Sequence, residues 1–298
     1  MMKRITFSFW LLLFALHVHG QQAVVFQSDF GLKDGAVAAM KGVALTVSPR
    51  LQLFDLTHEI PAYSIWEASY RLYQTIDYWP ANTVFVSIVD PGVGSSRRSV
   101  VAKTKSGHYI VTPDNGTLTF IAEYIGIEAL REIDESVNRL KGSNASYTFH
   151  GRDVYAYTGA RLAAGVISFE QVGKALAAKP TLFSFQKPIL DNGILKGNIP
   201  ILDVQYGNVW TNIDAELVAQ FKVVTGDLLQ VEITQNGKSV YQSQVLYTNT
   251  FAGVKEGEPL AYLNSLLNLS LAINQGNFAT THGIGTGPDW TIVVRRAK

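Results

Sequence analysis

The sequence contains no cysteine among its 298 residues, and only 16% of them are charged. The absence of cysteine excludes disulfides, thiolate metal sites and thiol nucleophiles. Neither sign of charge dominates, because 25 lysine and arginine residues oppose 24 aspartate and glutamate residues. Since the chain has no strongly charged surface to attract nucleic acid or an acidic partner, we expect its ligand to be a small molecule.

Several motifs that define a chemistry are missing as well. The dinucleotide fingerprint G-x-G-x-x-G and the G-x-S-x-G serine hydrolase motif do not occur, and no Gly-Lys-Ser/Thr phosphate loop follows the first strand and its Asp29. Metal motifs such as H-E-x-x-H are also absent. We therefore predict no metal site, with a competing interpretation in which Asp29, Asp90, His150 and Asp153 act as ligands.

The N-terminus has the pattern of a secretory signal. Met1 to Arg4 is basic, and the apolar run from Ile5 to Leu16 is too short to span a bilayer comfortably. Small residues precede Gln21, which predicts a cleaved signal peptide at residues 1–20 and export to the periplasm or the medium. The alternative is a retained membrane anchor.

The first half of the mature sequence alternates strand-like and helical segments. A helix is predicted at Asp34–Val47, and another is predicted after Ser64, where Ser64 and Glu67 spell a capping box. This alternation predicts an α/β domain at residues 21–180 with a mostly parallel sheet. The predicted strands are Ala23–Gln27, Gln52–Leu56, Thr83–Val89, Ser99–Lys103 and Tyr109–Thr112.

The residue pattern of the sequence changes near residue 180. Two Lys-Pro pairs mark a linker at residues 181–192, and the segments that follow alternate apolar and polar residues between turns. This pattern predicts a smaller, mostly β domain at residues 193–298. Its clearest strands are Leu228–Thr234, Ser239–Leu246 and Trp290–Arg295.

Polar residues at strand ends are the candidates for chemistry. Asp29 and Asp90 each follow an apolar strand, and ligands of α/β sheets bind at the carboxyl ends of such strands. Asp29 could instead cap a helix, and Asp90-Pro-Gly could be an ordinary turn. Arg97 can fold back towards Asp90, while His150 precedes a glycine and could accept a proton or be a bystander.

Three distant segments together predict one enzyme site. They are residues 90–97, residues 149–153 and residues 203–208. In the last of them Asp203 and Asn208 lie close to Trp210, and the later Tyr262-Leu-Asn-Ser run adds further amide and aromatic groups. Such a mixture suits a purine, because aromatic rings stack on its face and amides bond to its edge.

Five ordered segments resemble one enzyme family, the S-adenosyl-L-methionine hydroxide adenosyltransferases, which are hydrolytic relatives of fluorinase and chlorinase. The resemblance covers nearly all of the mature chain. The segments are Ser28-Asp-Phe-Gly31 with Asp34, Val89-Asp-Pro-Gly-Val-Gly94 with Arg97, Phe149-His-Gly-Arg-Asp153, Tyr206-Gly-Asn-Val-Trp-Thr-Asn212 and Leu263-Asn-Ser265 with Asn274.

The resemblance implies attack by water on the ribose 5′ carbon of S-adenosylmethionine, which releases methionine and adenosine without a cofactor. Its water-activating trio corresponds to Asp90, Arg97 and His150. The implied substrate contacts are Asp29 for the ribose hydroxyls, Asp34 for the methionine ammonium group, Asp203 and Asn208 for the methionine end and adenine edge, Tyr63 and Tyr206 for the nucleoside pocket, and Ser265 with Asn274 for further contacts.

The resemblance also implies a C-terminal β-barrel and a homotrimer with sites between subunits. Halogenating relatives carry a tyrosine at the position of Asp90 and a hydroxyl residue at that of Val93, which disfavours halide chemistry here. Fluorinase has an arginine where this chain has Leu266, which weakens the implied contact of Ser265. Two alternatives to hydrolysis stay open: an exported adenosine or nucleoside binding protein without turnover, and an adenosyl halide synthase.

Overall fold

The structure is a computed structural model that describes residues 23–297. The predicted signal peptide at residues 1–20 lies outside the described residues. No helix in the described part combines the length and the apolar character needed to cross a membrane. The chain has a mixed α/β architecture with two large sheets, the second of which belongs to a strand-rich region.

The first sheet has seven strands in the order β2-β1-β3-β5-β4-β6-β7. All five strands predicted for this region are present, each within two residues of its predicted ends. The strands are β1 (Ala23–Ser28), β2 (Gln52–Thr57), β3 (Val84–Ile88), β4 (Ser99–Thr104), β5 (Tyr109–Pro113), β6 (Ile127–Glu132) and β7 (Ala175–Leu176).

Helices cover both faces of this sheet because its central strands are apolar on both sides. Val24 and Phe26 of β1 are buried in one cluster, whereas Val25 is buried in another on the opposite face. The helices are α1 (Ala36–Val47), α2 (Ile65–Ile76), α3 (Glu135–Asn138) and α4 (Tyr157–Ala163), with two π-helical turns at Ile121–Ile125 and Gly151–Ala156 and a 3₁₀ turn at Phe169–Val172.

The prediction of a mostly parallel sheet describes only half of it. The pairings of β1 with β2 and β3, and of β3 with β5, are parallel, whereas β4 pairs antiparallel with β5 and β6, and β6 with β7. Residues 105–108 alone connect β4 to β5. A parallel pair requires a crossover of a dozen or more residues, so this short connection imposes a hairpin.

The predicted capping box at the start of α2 is wrong, although the helix begins where it was expected. Ser64 has φ −79° and ψ 78°, and its side chain makes no capping hydrogen bond. A capping serine normally adopts an extended conformation that aims its hydroxyl at the first helical N–H groups. Tyr63 has a left-handed backbone conformation, with φ 68°, so the chain enters the helix from a different direction.

The second sheet has nine strands in the order β10-β11-β15-β14-β13-β12-β16-β9-β8. Two helices, α5 (Ala215–Phe221) and α6 (Phe278–His282), and a 3₁₀ turn at Phe251–Gly253 accompany it. The strands are β8 (Ile189–Asp191), β9 (Ile194–Asn198), β10 (Ile201–Leu202), β11 (Val209–Asp214), β12 (Leu228–Gln235), β13 (Lys238–Tyr247), β14 (Pro259–Leu263), β15 (Asn268–Ile273) and β16 (Trp290–Arg296). Strand β8 thus lies inside the predicted linker.

The implied β-barrel is not closed by backbone pairing among the described strands, since their order begins at β10 and ends at β8. The sheet curls enough to bring β9 against β11, where the Asn198 N–H donates to the side-chain oxygen of Asn212 at 2.7 Å. The side-chain nitrogen of Asn212 donates to the Gln186 carbonyl at 3.0 Å. A side chain therefore bridges the place where a closed barrel would have a strand ladder.

The two sheets are joined through α2. Trp66 Nε1 donates to the Pro200 carbonyl at 2.8 Å, and Arg71 donates to the Leu202 carbonyl at 2.9 Å. Trp66 also packs edge-on against Phe120 and Phe183 in an aromatic cluster between the sheets. These buried contacts fix the strand-rich region against the first sheet.

Candidate active site

A cavity of 260 Å³ opens at the carboxyl ends of β1 and β3. The chain runs from β1 to β2 on one side and then returns to β3 on the other side of β1. Such a reversal of strand order leaves a crevice, where ligands of α/β sheets bind. We call it the switch-point cavity, and its lining residues are Asp29, Phe30, Ala62, Tyr63, Ile88, Asp90, Val93, Thr148, Phe149, His150 and Gly151.

Asp90 follows β3 and forms a buried ion pair with Arg97. Asp90 Oδ2 accepts a hydrogen bond of 2.6 Å from Arg97 Nη2, and the two side chains are 6% and 11% exposed. Burial raises the pKa of Asp90, while Arg97 and His150 act in the opposite direction. A carboxylate with a raised pKa in a cavity is a stronger proton acceptor than an exposed one.

His150 immediately precedes the π-helical turn Gly151–Ala156 and is buried. Its Nε2 lies 3.6 Å from a carboxylate oxygen of Glu135, which also pairs with Arg139 at 2.9 Å. Gly151 makes room for the ring of Phe30, because a Cβ at this glycine would lie 3.1 Å from that ring. The chain therefore brings the imidazole to the cavity with an acidic group behind it.

One buried polar atom on each member of the trio has no hydrogen-bond partner within residues 23–297. These atoms are Asp90 Oδ1, Arg97 Nε and His150 Nδ1. Buried polar groups in folded proteins are nearly always paired, so unpaired ones at a cavity indicate a place for water or a ligand. Asp90 and His150 line the switch-point cavity, whereas Arg97 does not and contacts it through the Asp90 carboxylate.

Asp29 and Tyr63 both line the same cavity and contact each other. Asp29 Oδ2 accepts a hydrogen bond of 2.9 Å from the Tyr63 N–H. Tyr63 has a φ of 68°, which is unfavourable for an aromatic residue, and its side chain is 73% exposed. Strained backbone conformations of this kind concentrate at binding sites. Gly31, with φ 67°, turns the chain two residues after Asp29.

Asp34 does not line the switch-point cavity. It is exposed, and its Oδ1 accepts a hydrogen bond of 2.9 Å from the Ala36 N–H at the start of α1. The N-cap residue of α1 is Gly35, and no side chain makes a capping hydrogen bond from that position. The Asp34 carboxylate, one residue earlier, pairs with a single free N–H group at the helix start, where the helix dipole also favours a negative charge.

The other five candidates line a second cavity, of 780 Å³, in the strand-rich region. We call it the aromatic cavity. Its candidates are Asp203, Tyr206, Asn208, Ser265 and Asn274, and its other lining residues are Gln205, Trp210, Phe251, Tyr262, Asn264, Ile273, Gln275, Gly276 and Asn277. Within one chain, residues 203–208 line a different cavity from the other two segments, because the two cavities share no lining residue. That all three segments form one site stays a prediction.

The aromatic cavity offers hydrogen-bond donors beside its rings. Trp210 Nε1 and Asn264 Nδ2 are buried and have no partner in the described structure. Asn208 Nδ2 donates to Asp203 Oδ2 at 3.3 Å, which links the two predicted ligand contacts. Burial raises the pKa of Tyr262 to about 12, so its phenol stays protonated. The cavity can stack a flat heterocycle and bond to its edge.

Sequence reasoning missed Tyr155, Ser99 and Glu135. The Tyr155 hydroxyl accepts a hydrogen bond of 2.6 Å from Arg97, and Ser99 Oγ lies 3.2 Å from that hydroxyl. No motif marks these residues, since each reaches the site only through the packing of a π-helical turn, a strand and a short helix. Residues 23–297 contain no group of three or more histidine and acidic side chains that could hold a metal ion.

Several curated proteins are similar to this chain in sequence. The curated (R)-S-adenosyl-L-methionine hydrolase of Methanocaldococcus jannaschii is 43% identical over 143 residues, which are 47% of this chain and 52% of that protein. The hydrolase of the same name from Salinispora tropica is 33% identical over 89% of this chain and 95% of its own length. A fluorinase from Actinoplanes sp. is 28% identical over 94% of this chain and 99% of its length.

A crystal structure of an uncharacterized conserved protein from Thermotoga maritima has the same fold. Its TM-score is 0.82 at 34% identity, and the match covers 92% of this chain and all of that one. Residues 24–173 match the SAM hydroxide adenosyltransferase N-terminal domain, and residues 197–291 match the C-terminal domain of the same family. The chain therefore belongs to the SAM hydroxide adenosyltransferase family.

Proposed function

We propose that this protein hydrolyses S-adenosyl-L-methionine to adenosine and L-methionine. The water oxygen forms a bond to the ribose 5′ carbon as the carbon–sulfur bond breaks, and the sulfur leaves as a neutral thioether. The observation that carries the proposal is that Asp90 and His150 line the switch-point cavity, with Arg97 paired to Asp90 behind it, and that each of the three has an unpaired buried atom in the described residues. Family membership and the hydrolase names of relatives support it.

Catalysis has to activate the attacking water, whereas the leaving group needs no assistance. A positively charged sulfonium becomes neutral as it leaves, so no acid has to protonate it. Asp90 Oδ1 and His150 Nδ1 hold the water and accept its proton, while Arg97 fixes the other Asp90 oxygen. General-base help supplies roughly 10²–10⁴-fold, whereas positioning of water and carbon supplies about 7–11 kcal/mol. Positioning is therefore the larger contribution.

We further propose that the substrate is shared between the two cavities. Asp29 binds the ribose hydroxyls and Tyr63 covers the sugar, while the exposed Asp34 binds the methionine ammonium group. The aromatic cavity holds the adenine and the remaining substrate contacts through Asp203, Tyr206, Asn208, Ser265 and Asn274. Because the cavities of one chain share no residue, we assign each complete site to two copies in a homotrimer.

The direct test is an assay of the purified protein with S-adenosylmethionine, in which adenosine and methionine are separated by chromatography. We expect both products in equal amounts. Substrate that stays intact while adenosine binds tightly in calorimetry would favour the alternative of a binding protein. Formation of 5′-halo-adenosine in the presence of chloride or fluoride would favour the halide synthase named by some relatives. An ionised Asp90 at the cavity repels a halide ion, which supports water as the nucleophile.

Activity should depend on the ionisation of Asp90. Because the carboxylate form accepts the proton, kcat/KM should fall as the pH decreases through the pKa of Asp90. Burial raises this pKa, so the fall should occur above the ordinary value of 3.8. Arg97→Ala should move the fall to still higher pH, since Arg97 favours the carboxylate. A pH profile of kcat/KM for both proteins checks this, and coincident profiles would contradict it.

A mixing experiment tests whether two copies share a site. Asp90→Asn disables the switch-point cavity, and Ser265→Trp fills the aromatic cavity at an exposed position. Each variant alone should be inactive. Random trimers of the two variants should recover about one quarter of the sites, because neighbouring copies then combine two intact cavities.

The control for mixing is a chain that carries both changes, co-assembled with the unchanged chain. It should retain about one quarter of the sites if copies share them and about one half if each chain is complete. No recovery in the first experiment, together with one half in the second, would contradict the shared site.

We also propose export of the mature protein, on the N-terminal sequence alone. Mass spectrometry of protein recovered from the periplasm or medium should find an N-terminus at Gln21. Protein that keeps residues 1–20 in the membrane fraction would instead indicate an anchor.

A further inference from the structure

The buried tyrosine Tyr155 completes a closed set of hydrogen bonds behind the site. It lies in the π-helical turn Gly151–Ala156 and is fully buried. Its hydroxyl accepts a hydrogen bond of 2.6 Å from Arg97 Nη1 and donates at 3.4 Å to Asp90 Oδ2. Arg97 Nη2 bonds to the same Asp90 oxygen at 2.6 Å. Arginine, tyrosine and aspartate thus form a triangle.

The hydroxyl has one proton and two neighbours that can accept it. Asp90 Oδ2 is ion-paired with Arg97 Nη2, whereas Ser99 Oγ, at 3.2 Å, belongs to a neutral hydroxyl that also receives a bond from Arg97 Nη1. Bonds to charged acceptors are stronger, so the proton favours Asp90. With Oδ2 occupied by Arg97 and Tyr155, only Oδ1 of this carboxylate is left without a partner.

Tyr155 reaches this position from the π-helical turn that follows His150. The hydrogen bonds of a π-helix join residues five apart. Tyr155 lies in this turn five residues after His150, so one short segment supplies both side chains. The body of the ring packs in the apolar core, while the hydroxyl finds all its polar contacts at Arg97, Ser99 and Asp90.

We propose that Tyr155 is a positioning residue that fixes the Asp90 carboxylate and keeps Oδ1 directed to the attacking water. The inference rests on the proposed hydrolysis. Tyr155 does not line the switch-point cavity, so it acts through Asp90. Its hydroxyl favours the ionised form of Asp90 together with Arg97, while His150 faces the same carboxylate from the cavity side.

The test compares Tyr155→Phe with the unchanged enzyme. We expect kcat to fall about tenfold with little change in KM, because a bond to a charged group is lost while the substrate contacts remain. The acid fall of the pH profile should move up by about one pH unit. The position of that fall does not depend on the fraction of folded enzyme, so partial loss of stability leaves the result readable.

A matched control is Tyr70→Phe, which removes another buried hydroxyl. Tyr70 lies in the aromatic cluster between the sheets, and its hydroxyl has no partner in the described part of the chain. We expect this variant to keep both kcat and the pH profile. If Tyr155→Phe behaves like Tyr70→Phe, the positioning role is overturned. A second check is the pair Asp90→Asn and Asp90→Asn/Tyr155→Phe, whose residual rates should be equal, since contributions made through one residue are not additive.

A readout without turnover separates this inference from the proposed function. Carbon NMR of protein labelled at the aspartate carboxyls, with the Asp90 signal identified by its loss in Asp90→Asn, measures the pKa of Asp90 directly. A higher pKa in Tyr155→Phe supports the positioning role even if the unchanged protein releases no adenosine, in which case only the proposed function fails. An unchanged pKa in an active enzyme overturns the role of Tyr155 and leaves hydrolysis standing.

Discussion

Asp90→Asn should lower kcat by about 10²–10⁴-fold, the range that general-base help supplies. The substitution keeps the shape of the side chain and an oxygen for Arg97, which now donates to Asp90 Oδ2 at 2.6 Å. It removes the charge and the proton acceptor at Oδ1, the atom left unpaired beside the switch-point cavity. KM should change little, because the substrate contacts proposed for the other side chains remain. Steady-state adenosine release measures both constants.

A matched control for this change is Asp114→Asn. Asp114 is also buried and ion-paired with an arginine, Arg98, but it lies outside both cavities. This control should alter the free energy of unfolding without a comparable loss of kcat in the folded enzyme. Equal losses in the two variants would attribute the effect of Asp90→Asn to folding rather than to chemistry.

His150→Ala should lower kcat by roughly 10²-fold or more, as expected for the loss of a group that contacts the transition state. The imidazole is buried at the cavity, Glu135 lies 3.6 Å from Nε2, and Nδ1 has no partner in the described structure. The missing ring leaves a space next to Asp90 that a small base can enter. Added imidazole should therefore restore part of the rate in a concentration-dependent manner.

The comparison variant for His150 is His282→Ala, a half-buried residue at the end of α6 that packs against Tyr241 and Phe278 and lies outside both cavities. It should keep the rate and show no response to imidazole. Turnover by His150→Ala at the rate of the unchanged enzyme would remove this histidine from the mechanism. A loss of rate without any rescue would point to orientation of water by His150 rather than to proton transfer.

The local elements of this fold could be predicted well from periodicity. The helix predicted at Asp34–Val47 is observed at Ala36–Val47, and the strand predicted at Trp290–Arg295 extends by one residue. Apolar runs determine these elements because each strand or helix has to bury its own side chains. The two strand ends that carry Asp29 and Asp90 do meet at one edge of the sheet, since both strands are parallel neighbours.

The features that the sequence did not predict depend on contacts between residues that are distant in the sequence. The antiparallel pairing of β4 with β5 follows from their short connection, residues 105–108, whose length can be read from the sequence. The alternation of strands and helices in this region nevertheless favoured a parallel sheet. The position of Tyr155 depends on a π-helical turn, and no pattern of residue types marks such a turn. The separation of the two cavities depends on how the sheets pack through Trp66 and Arg71, which local sequence does not encode.

Hydrolysis in water enriched in oxygen-18, with mass spectrometry of both products, tests the central claim most directly. Attack of water on the 5′ carbon places the heavy oxygen in the 5′ hydroxyl of adenosine and leaves methionine unlabelled. The account predicts adenosine with one heavy oxygen from the unchanged enzyme and almost none formed by Asp90→Asn. Label in methionine, or adenosine that forms without label, would contradict attack by water at that carbon.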